Sequence, residues 1–297
     1  MRDDGSRYLP LETPHAENRR LRAENAELRQ LLAAHGIPLP ASLLATASSV
    51  GVTGARTEVP TEDQARQHIV LFRDFFRGRD DVYACRWENR DGRAGYVPAT
   101  LDDWNSGRWK RAGERTDANI GEVKPTYLPL TDAVIEAHLL GKHTIGVYPL
   151  LLDETCWFLV ADFDKGTWEE DTCAFLETCH AYGVPAALER SRSGHGGHLW
   201  IFFDRPVPAV TARQLGCFLL TRTMERRHQL GLDSYDRFFP NQDTLPKGGF
   251  GNLIALPLQF SPRKMGNSVF LDRMLQPYPT RTNGSILPPC HAYQRER

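Results

Sequence analysis

The sequence predicts an α+β protein whose second half forms a split-βαβ sheet of the ferredoxin-like, RRM-like kind. One observation is the order of its patterns, in which apolar runs of strand formers and helical segments follow one another as strand, helix, strand, strand, helix, strand. The strands are expected at 156–163, 185–190, 198–204 and 252–258, and the helices at 168–182 and 209–230. Another is a turn with three glycines in four residues between the two middle strands. This order predicts a four-stranded sheet with both helices on one face, in which the last strand pairs with the first.

The residues before this sheet predict an N-terminal α/β subdomain over 61–150, so that the RRM-like subdomain would cover 151–297. "TEDQ" at 61–64 is a capping box that opens an amphipathic helix. Strand formers around Asp91-Gly92 indicate a hairpin, and "TDAVIEAHLLG" indicates a short helix capped by Thr131. An apolar strand, "HTIGVYPLL", follows. The hairpin arginines are interpreted as solvated in preference to phosphate contacts: Arg86, Arg90 and Arg93.

The first 60 residues are expected to be a helix followed by a linker. Within the segment 1–36, residues 17–35 place Leu21, Asn25, Leu28 and Leu32 at spacings of four, three and four, which is typical of a coiled-coil seam with one polar core position. We expect a weak homo-oligomer or a partner helix here, and a solvated helix is the alternative. Residues 37–60 are rich in Pro, Ala, Ser, Thr and Gly and indicate a flexible linker.

Composition limits the setting in which the protein works. The chain has 297 residues, of which 41% are hydrophobic and 25% charged, as in ordinary globular proteins. No apolar run approaches the roughly 20 residues that span a bilayer, and the start lacks a signal-peptide pattern, so a cytoplasmic protein without membrane contact is expected. The net charge of -1 requires any phosphate binding to use local basic clusters. The 6 cysteines include no CxxC pair and are expected to be reduced.

"LVADFDK" (159–165) ends an apolar strand with two acids around a phenylalanine. Because side chains alternate along a strand, Asp162 and Asp164 are expected on one face and Phe163 on the other. Neighbouring carboxylates repel unless a cation lies between them, and oxygen ligands favour Mg²⁺ or Mn²⁺. The alternative is a polar strand end in which Asp164 caps the next helix.

The turn "ERSRSGHGGHLWIFF" is the second candidate for a ligand site. Its glycines, among them Gly196 and Gly197, allow backbone N–H groups to approach an anion closely. His198 begins the following strand, and Arg190 and Arg192 add charge-assisted donors. The alternative is a glycine hairpin in which the histidines have no role; His195, in the middle of the turn, is the weaker candidate.

A two-metal site needs a further acid, and "LDSYDRFFPNQD" offers Asp233, Asp236 and Asp243. Position relative to the last predicted strand admits all three. The residues themselves therefore leave the third ligand open.

Taken together, "FLVADFD", "SGHGGH" and "YD" followed by "FPNQD" and "GGFGNLIALPLQ" resemble the motifs of the archaeo-eukaryotic primase superfamily. The sequence is most similar to the primase-polymerase domains of prokaryotic TOTE conflict systems and to CRISPR-associated primase-polymerases, from about residue 65 to 290. The resemblance implies that the metal ligands are Asp162, Asp164 and Asp236, where Tyr235-Asp236 matches the hydrophobic-Asp pattern. It also implies that Ser193 and His198 contact the incoming triphosphate, while Arg192 and Lys247 are candidates to balance its charge.

The implied activity is template-directed nucleotidyl transfer by a DNA or RNA primase-polymerase that uses two Mg²⁺ or Mn²⁺ ions. The partners would be a DNA or RNA template and primer, an NTP or dNTP, and a helicase or nuclease, supplied by a partner or by sequence outside this chain. Unlike many relatives, the chain has no cysteines in 105–125, so no structural zinc is expected. The alternatives are a non-catalytic RRM-like nucleic-acid-binding module and a glycosyltransferase that uses the DxD motif.

Overall fold

The structure, a computed structural model, describes residues 61–101, 125–164, 166–226 and 232–278. All of them belong to one compact unit, Glu58–Arg297. The predicted coiled coil at 17–35, the linker at 37–60 and residues 105–124 of the cysteine-free segment lie outside the described residues. None of the described helices is both long and apolar enough to cross a membrane.

The described residues form a mixed α/β fold with two antiparallel sheets. The first sheet contains four short strands: β1 (Ala84–Glu88), β2 (Ala94–Pro98), β3 (Ile145–Val147) and β8 (Ile254–Ala255). Their order is β2-β1-β3-β8. The hairpin predicted around Asp91-Gly92 is present as β1 and β2, and Gly92 has the positive φ of 79° that its turn requires.

The second sheet contains five strands: β4 (Thr155–Asp164), β5 (Ala187–Arg190), β6 (Gly196–Pro208), β7 (Tyr235–Phe239) and β9 (Val269–Leu271). Their order is β7-β4-β6-β5-β9. Helix α3 (Trp168–Ala181) connects β4 to β5, and helix α4 (Ala209–Arg226) connects β6 to β7. The chain therefore runs strand, helix, strand, strand, helix, strand, and its fourth strand in this order pairs with its first.

The predicted strand at 252–258 is not the one that pairs with β4. That position is taken by β7, while Ile254 and Ala255 pair with Val147 and Gly146 in the first sheet. The apolar run "NLIALPL" correctly indicated a strand, but local pattern carries no information about which sheet a strand joins. Tyr235–Phe239 was missed because Asp236 and Arg237 interrupt its apolar alternation.

Three further helices complete the described fold: α1 (Glu62–Phe75), α2 (Asp132–Leu139) and α5 (Phe260–Lys264). The predicted capping box is confirmed, because Gln64 N donates to Thr61 Oγ1 and Thr61 N donates to Gln64 Oε1. Thr131 caps α2 by accepting a hydrogen bond from Val134 N, also as predicted.

Alternating side chains of β4 enter two different cores. Leu159 and Phe163 pack with Phe175 of α3 and with residues of α4. Phe158 packs on the opposite face with Trp200 of β6, in a core that also contains residues of α1 and of the first sheet. Asp162 and Asp164 follow Phe158 at even spacing, so they lie on the face of the second sheet that is turned toward the first sheet.

Candidate active site

The two acids of the DxD motif end β4 on the face predicted for them. Phe163 between them is fully buried, and its ring centroid lies 5.8 Å from that of Phe175. Asp162 is 8% exposed, and Asp164 is exposed at the strand end. Packing of the phenylalanine therefore directs both carboxylates to the opposite face.

Asp236 brings a third carboxylate to this place from β7. The pairing of β7 with β4 is irregular between Asp162 and Phe163, so the register shifts where the acids meet. Carboxylate oxygens of Asp162, Asp164 and Asp236 all lie within 4.8 Å of one another. Of the acids that the sequence left open, Asp236 is the one that the described structure brings to the DxD pair.

The three carboxylates repel one another, and Arg237 Nε, which donates a hydrogen bond of 2.6 Å to Asp236 Oδ2, compensates the charge of Asp236. Burial, together with repulsion from Asp164 and Asp236, raises the pKa of Asp162 to about 6, although attraction to His198 opposes the increase. Its Oδ1 atom is buried and accepts no hydrogen bond from the described residues. Hard oxygen ligands around an unsatisfied carboxylate fit a divalent ion such as Mg²⁺ or Mn²⁺.

His198 on β6 lies directly beside Asp162, its partner in the strand pairing. Its Nε2 is 3.5 Å from Asp162 Oδ1, and its Nδ1 is 3.0 Å from Glu189 Oε2. Burial lowers the pKa of the imidazole, but the neighbouring carboxylates, Glu189 foremost, outweigh burial and raise it to about 9. The ring is therefore a cation that presents a donor beside the acids.

Glu189 and Arg237 are two site residues that the sequence analysis did not identify. The strand pairings place Arg237, Asp162, His198 and Glu189 side by side on β7, β4, β6 and β5. Their charges alternate in sign, which stabilises cross-strand neighbours. The alternation of β5 and β6 across their short turn could have revealed Glu189, because it faces the same way as His198.

The glycines of the turn have a packing role that the sequence did not show. A Cβ on Gly196 would lie 2.6 Å from Asp164 Oδ1, and a Cβ on Gly197 would lie 2.9 Å from the ring of Trp168. Gly194 has φ of +80°. Glycine at 196 thus allows β6 to approach the second acid of the DxD motif closely.

The polar residues of the turn lie next to this row. Ser193 Oγ is 3.1 Å from Ser191 Oγ and accepts a hydrogen bond from His195 N, while His195 itself is exposed. Arg192 donates to the neutral side chain of Gln259, and no carboxylate among the described residues forms an ion pair with it. Burial lowers the pKa of Arg192, and nearby Arg86 lowers it further. The turn therefore carries a guanidinium whose charge is poorly compensated.

Lys247 and Asp243 lie in a loop that contacts α4 and the start of β4. Asp243 forms an ion pair with Arg213 in the first half of α4. Leu245 N donates to Glu154 Oε1, just before the start of β4, while the DxD acids are at its end. Lys247 is exposed in this loop, two residues after Leu245. Asp233, also exposed, is not part of the acid cluster.

A further buried acid, Asp171, is linked to the cluster through hydrogen bonds with Ser234. Asp171 in the first turn of α3 accepts hydrogen bonds from Thr167 Oγ1 (2.9 Å), Ser234 Oγ (2.6 Å) and Ser234 N (3.3 Å). Ser234 O in turn accepts a hydrogen bond of 2.7 Å from Asp164 N. This corner fixes the chain that enters β7 against the end of β4, and thereby places Asp236.

The fold and this cluster define a mixed α/β protein with a candidate divalent-metal site at one end of its second sheet. Residues 67–287 match the family "TOTE conflict system, Archaeo-Eukaryotic Primase domain", and the chain belongs to that family. The resemblance stated from the motifs is confirmed.

Among solved structures, the chain is similar to the polymerase domain of Ligase D from Mycobacterium tuberculosis, in complex with DNA. The sequence identity is 17% and the TM-score is 0.38. The similarity covers 57% of this chain and 63% of that chain, which is less than two thirds of the length of that domain. No curated protein matches the chain.

Proposed function

We propose that the protein is a primase-polymerase that catalyses template-directed nucleotidyl transfer on DNA or RNA, within a prokaryotic conflict or defence system. The observation that carries the proposal is the convergence of Asp162, Asp164 and Asp236 within 4.8 Å, in a chain of the archaeo-eukaryotic primase family. We regard the β4–β7 unit as the RRM-like catalytic sheet of that fold.

The chain's own residues would bind and orient the nucleotide. Asp162, Asp164 and Asp236 would hold two divalent ions, Mg²⁺ or Mn²⁺. With the ions bound, they supply activation of the attacking hydroxyl and stabilisation of the departing pyrophosphate. His198 would donate to the triphosphate from beside Asp162, because its Nε2 faces the acids.

The glycine turn would hold the rest of the triphosphate. Arg192 has a poorly compensated charge, and Ser193 offers a hydroxyl at the exposed tip of the turn. Gly196 and Gly197 would contribute through their backbone alone, because the space where their side chains would lie is filled by Asp164 and by the ring of Trp168. Lys247 is not included in the proposed site, because its loop contacts the opposite end of β4.

A nucleic-acid-binding module without catalysis is disfavoured by the middle strands. Such a module stacks bases on exposed aromatic rings of its sheet. In this protein Phe158 and Trp200 are fully buried, and Phe76 covers Trp200 with ring centroids 5.0 Å apart.

Primer extension on a single-stranded template tests the proposal. The assay compares NTPs with dNTPs, with and without an annealed primer, in Mg²⁺ and in Mn²⁺. We expect products from the wild-type protein and a loss of at least about 100-fold in Asp162→Ala/Asp164→Ala. Products without a primer would add de novo priming.

The matched control is Asp243→Ala, which also removes a carboxylate but lies in the ion pair with Arg213. It should extend primers as the wild type does. Wild-type protein that extends no strand with any nucleotide, or extension that is retained in the double variant, would contradict the proposed function. Helicase or nuclease activity, if the system needs it, would come from a partner or from sequence outside this chain.

A further inference from the structure

We propose that Glu189 is a positioning residue, which holds the imidazole of His198 in the orientation that contacts the triphosphate of an incoming nucleotide. The inference rests on the proposed function, since the triphosphate is the ligand proposed there. Glu189 lies on β5, one strand beyond His198 and two beyond Asp162. It therefore acts through His198 and does not itself join the acid cluster.

Three donors fix the carboxylate of Glu189 in the core. Oε2 accepts a hydrogen bond of 2.9 Å from Trp200 Nε1 and lies 3.0 Å from His198 Nδ1. Oε1 accepts a hydrogen bond of 3.4 Å from Ser268 Oγ, just before β9. Since Trp200 is fully buried, the packing of the core sets the position of this carboxylate.

The contact with Glu189 decides where the other ring nitrogen points. An imidazole turns over a broad range about its outer side-chain torsion unless a hydrogen bond stops it. Among the described residues, Glu189 is the hydrogen-bond partner of Nδ1. With Nδ1 held there, Nε2 faces Asp162 at 3.5 Å and is directed to the place where the acids would hold a metal-bound triphosphate. A donor held in advance in this way loses no binding free energy to ordering.

The buried donors Trp200 Nε1 and Ser268 Oγ need an acceptor at this position, but a neutral amide oxygen would satisfy them as well as a carboxylate does. Glu189 is 1% exposed, and its neighbours Ala187 and Leu188 on β5 are apolar. A buried carboxylate is costly even when it is paired. The acid therefore indicates a role in the adjacent site, and His198 is the site residue that it touches.

The test is a double-mutant cycle on primer extension, with Glu189→Ala, His198→Ala and the pair. We expect Glu189→Ala to lower kcat/KM for the nucleotide by about tenfold, mainly through KM, because an orienting hydrogen bond is lost. In the His198→Ala background, Glu189→Ala should have no further effect. An equal loss in both backgrounds would overturn the inference, since a purely structural residue acts whether or not His198 is present.

Two more variants keep the test decisive if Glu189→Ala folds poorly. Glu189→Gln retains an oxygen that can accept from Nδ1 and should stay within about threefold of wild type. Ser268→Ala removes the longest of the three hydrogen bonds to the same carboxylate and should stay within about twofold. A loss in either variant as large as that of Glu189→Ala would overturn the role in positioning the ring.

A binding measurement separates this inference from the proposed function. Calorimetric titration with Mn²⁺–ATP and Mn²⁺–dATP is run on the same variants, without template or primer. If wild-type protein binds these but extends no strand, the proposed function fails. The inference then stands if Glu189→Ala weakens binding only while His198 is present, and it falls if binding is weakened in both backgrounds.

Discussion

Two buried carboxylates less than ten residues apart in sequence differ in how many hydrogen bonds they accept. At the first turn of α3, Asp171 is 1% exposed and accepts three hydrogen bonds from Thr167 and Ser234. At the end of β4, Asp162 is 8% exposed, and its Oδ1 accepts none from the described residues. The satisfied acid stabilises the fold, whereas the unsatisfied one is what a ligand site requires.

The difference distinguishes buried acids that hold other residues in place from acids that would bind a ligand. Glu189 resembles Asp171, since it is 1% exposed and held by three donors. Asp162 instead faces Asp164 and Asp236, whose charges make its ionised form more costly. A bound cation would relieve the repulsion within this cluster. Substitutions at the two kinds of acid should therefore affect stability and activity differently.

The largest expected effect on stability is that of Asp171→Ala. It removes the common acceptor of Thr167 and Ser234 and leaves buried donors without a partner, so the free energy of unfolding should fall by about 3 kcal/mol. The free energy of unfolding of Asp162→Asn should be no more than about 1 kcal/mol below that of the wild type and could be higher, because the substitution removes a buried charge whose Oδ1 has no hydrogen bond. Urea denaturation at pH 7 measures both, and equal losses would show that the two acids have the same role.

The next largest effect is the stabilisation of the folded protein by added Mn²⁺, which should depend on the acids of the cluster. At a Mn²⁺ concentration of about 100 times its Kd, a site present only in the folded protein stabilises it by about 2.7 kcal/mol. We expect this gain in the wild type and its loss in Asp162→Asn and in Asp236→Asn. Thermal melts with and without Mn²⁺ measure it.

Asp243→Asn is the control for the metal experiment. Its carboxylate is paired with Arg213 outside the cluster, so Mn²⁺ should stabilise this variant as much as wild type. If Asp243→Asn lost the gain while Asp236→Asn kept it, the assignment of the third acid would be wrong.

The smallest effect concerns a buried group that is kept neutral. Ile145 N donates to Nδ1 of His138, whose Nε2 lies 2.9 Å from Pro257 O, and burial lowers the pKa of His138 from 6.5 to about 4. The unfolded chain therefore binds the proton more readily, so this stability is present above pH 6.5 and is lost as the pH falls toward 4.

Between pH 7 and pH 5 this loss should be on the order of 2 kcal/mol. The dependence should be weaker in His138→Gln, measured by urea denaturation at the two pH values. The same decline in the variant and in the wild type would show that His138 does not titrate as its burial implies.

Several parts of the fold followed from local sequence because their causes are local. The capping box at Thr61 and the turn at Gly92 depend on residues a few positions apart. The shared face of Asp162 and Asp164 follows from the period of a strand, and Phe163 shows it by its burial. The order of elements after residue 150 was likewise readable, apart from the identity of the strand that returns to β4.

The tertiary structure decided which distant residues meet. Strand β8 joins the first sheet, and β7 brings Asp236 to the DxD pair while Asp243 pairs with Arg213. The pairing of β5 with β6 places Glu189 beside His198 and makes it a residue of the site. The sequence by itself determined the residue types and the faces on which they lie, because periodicity acts over a few residues. Strand pairing depends on packing between residues that are far apart in sequence, and these contacts exist only in the folded chain.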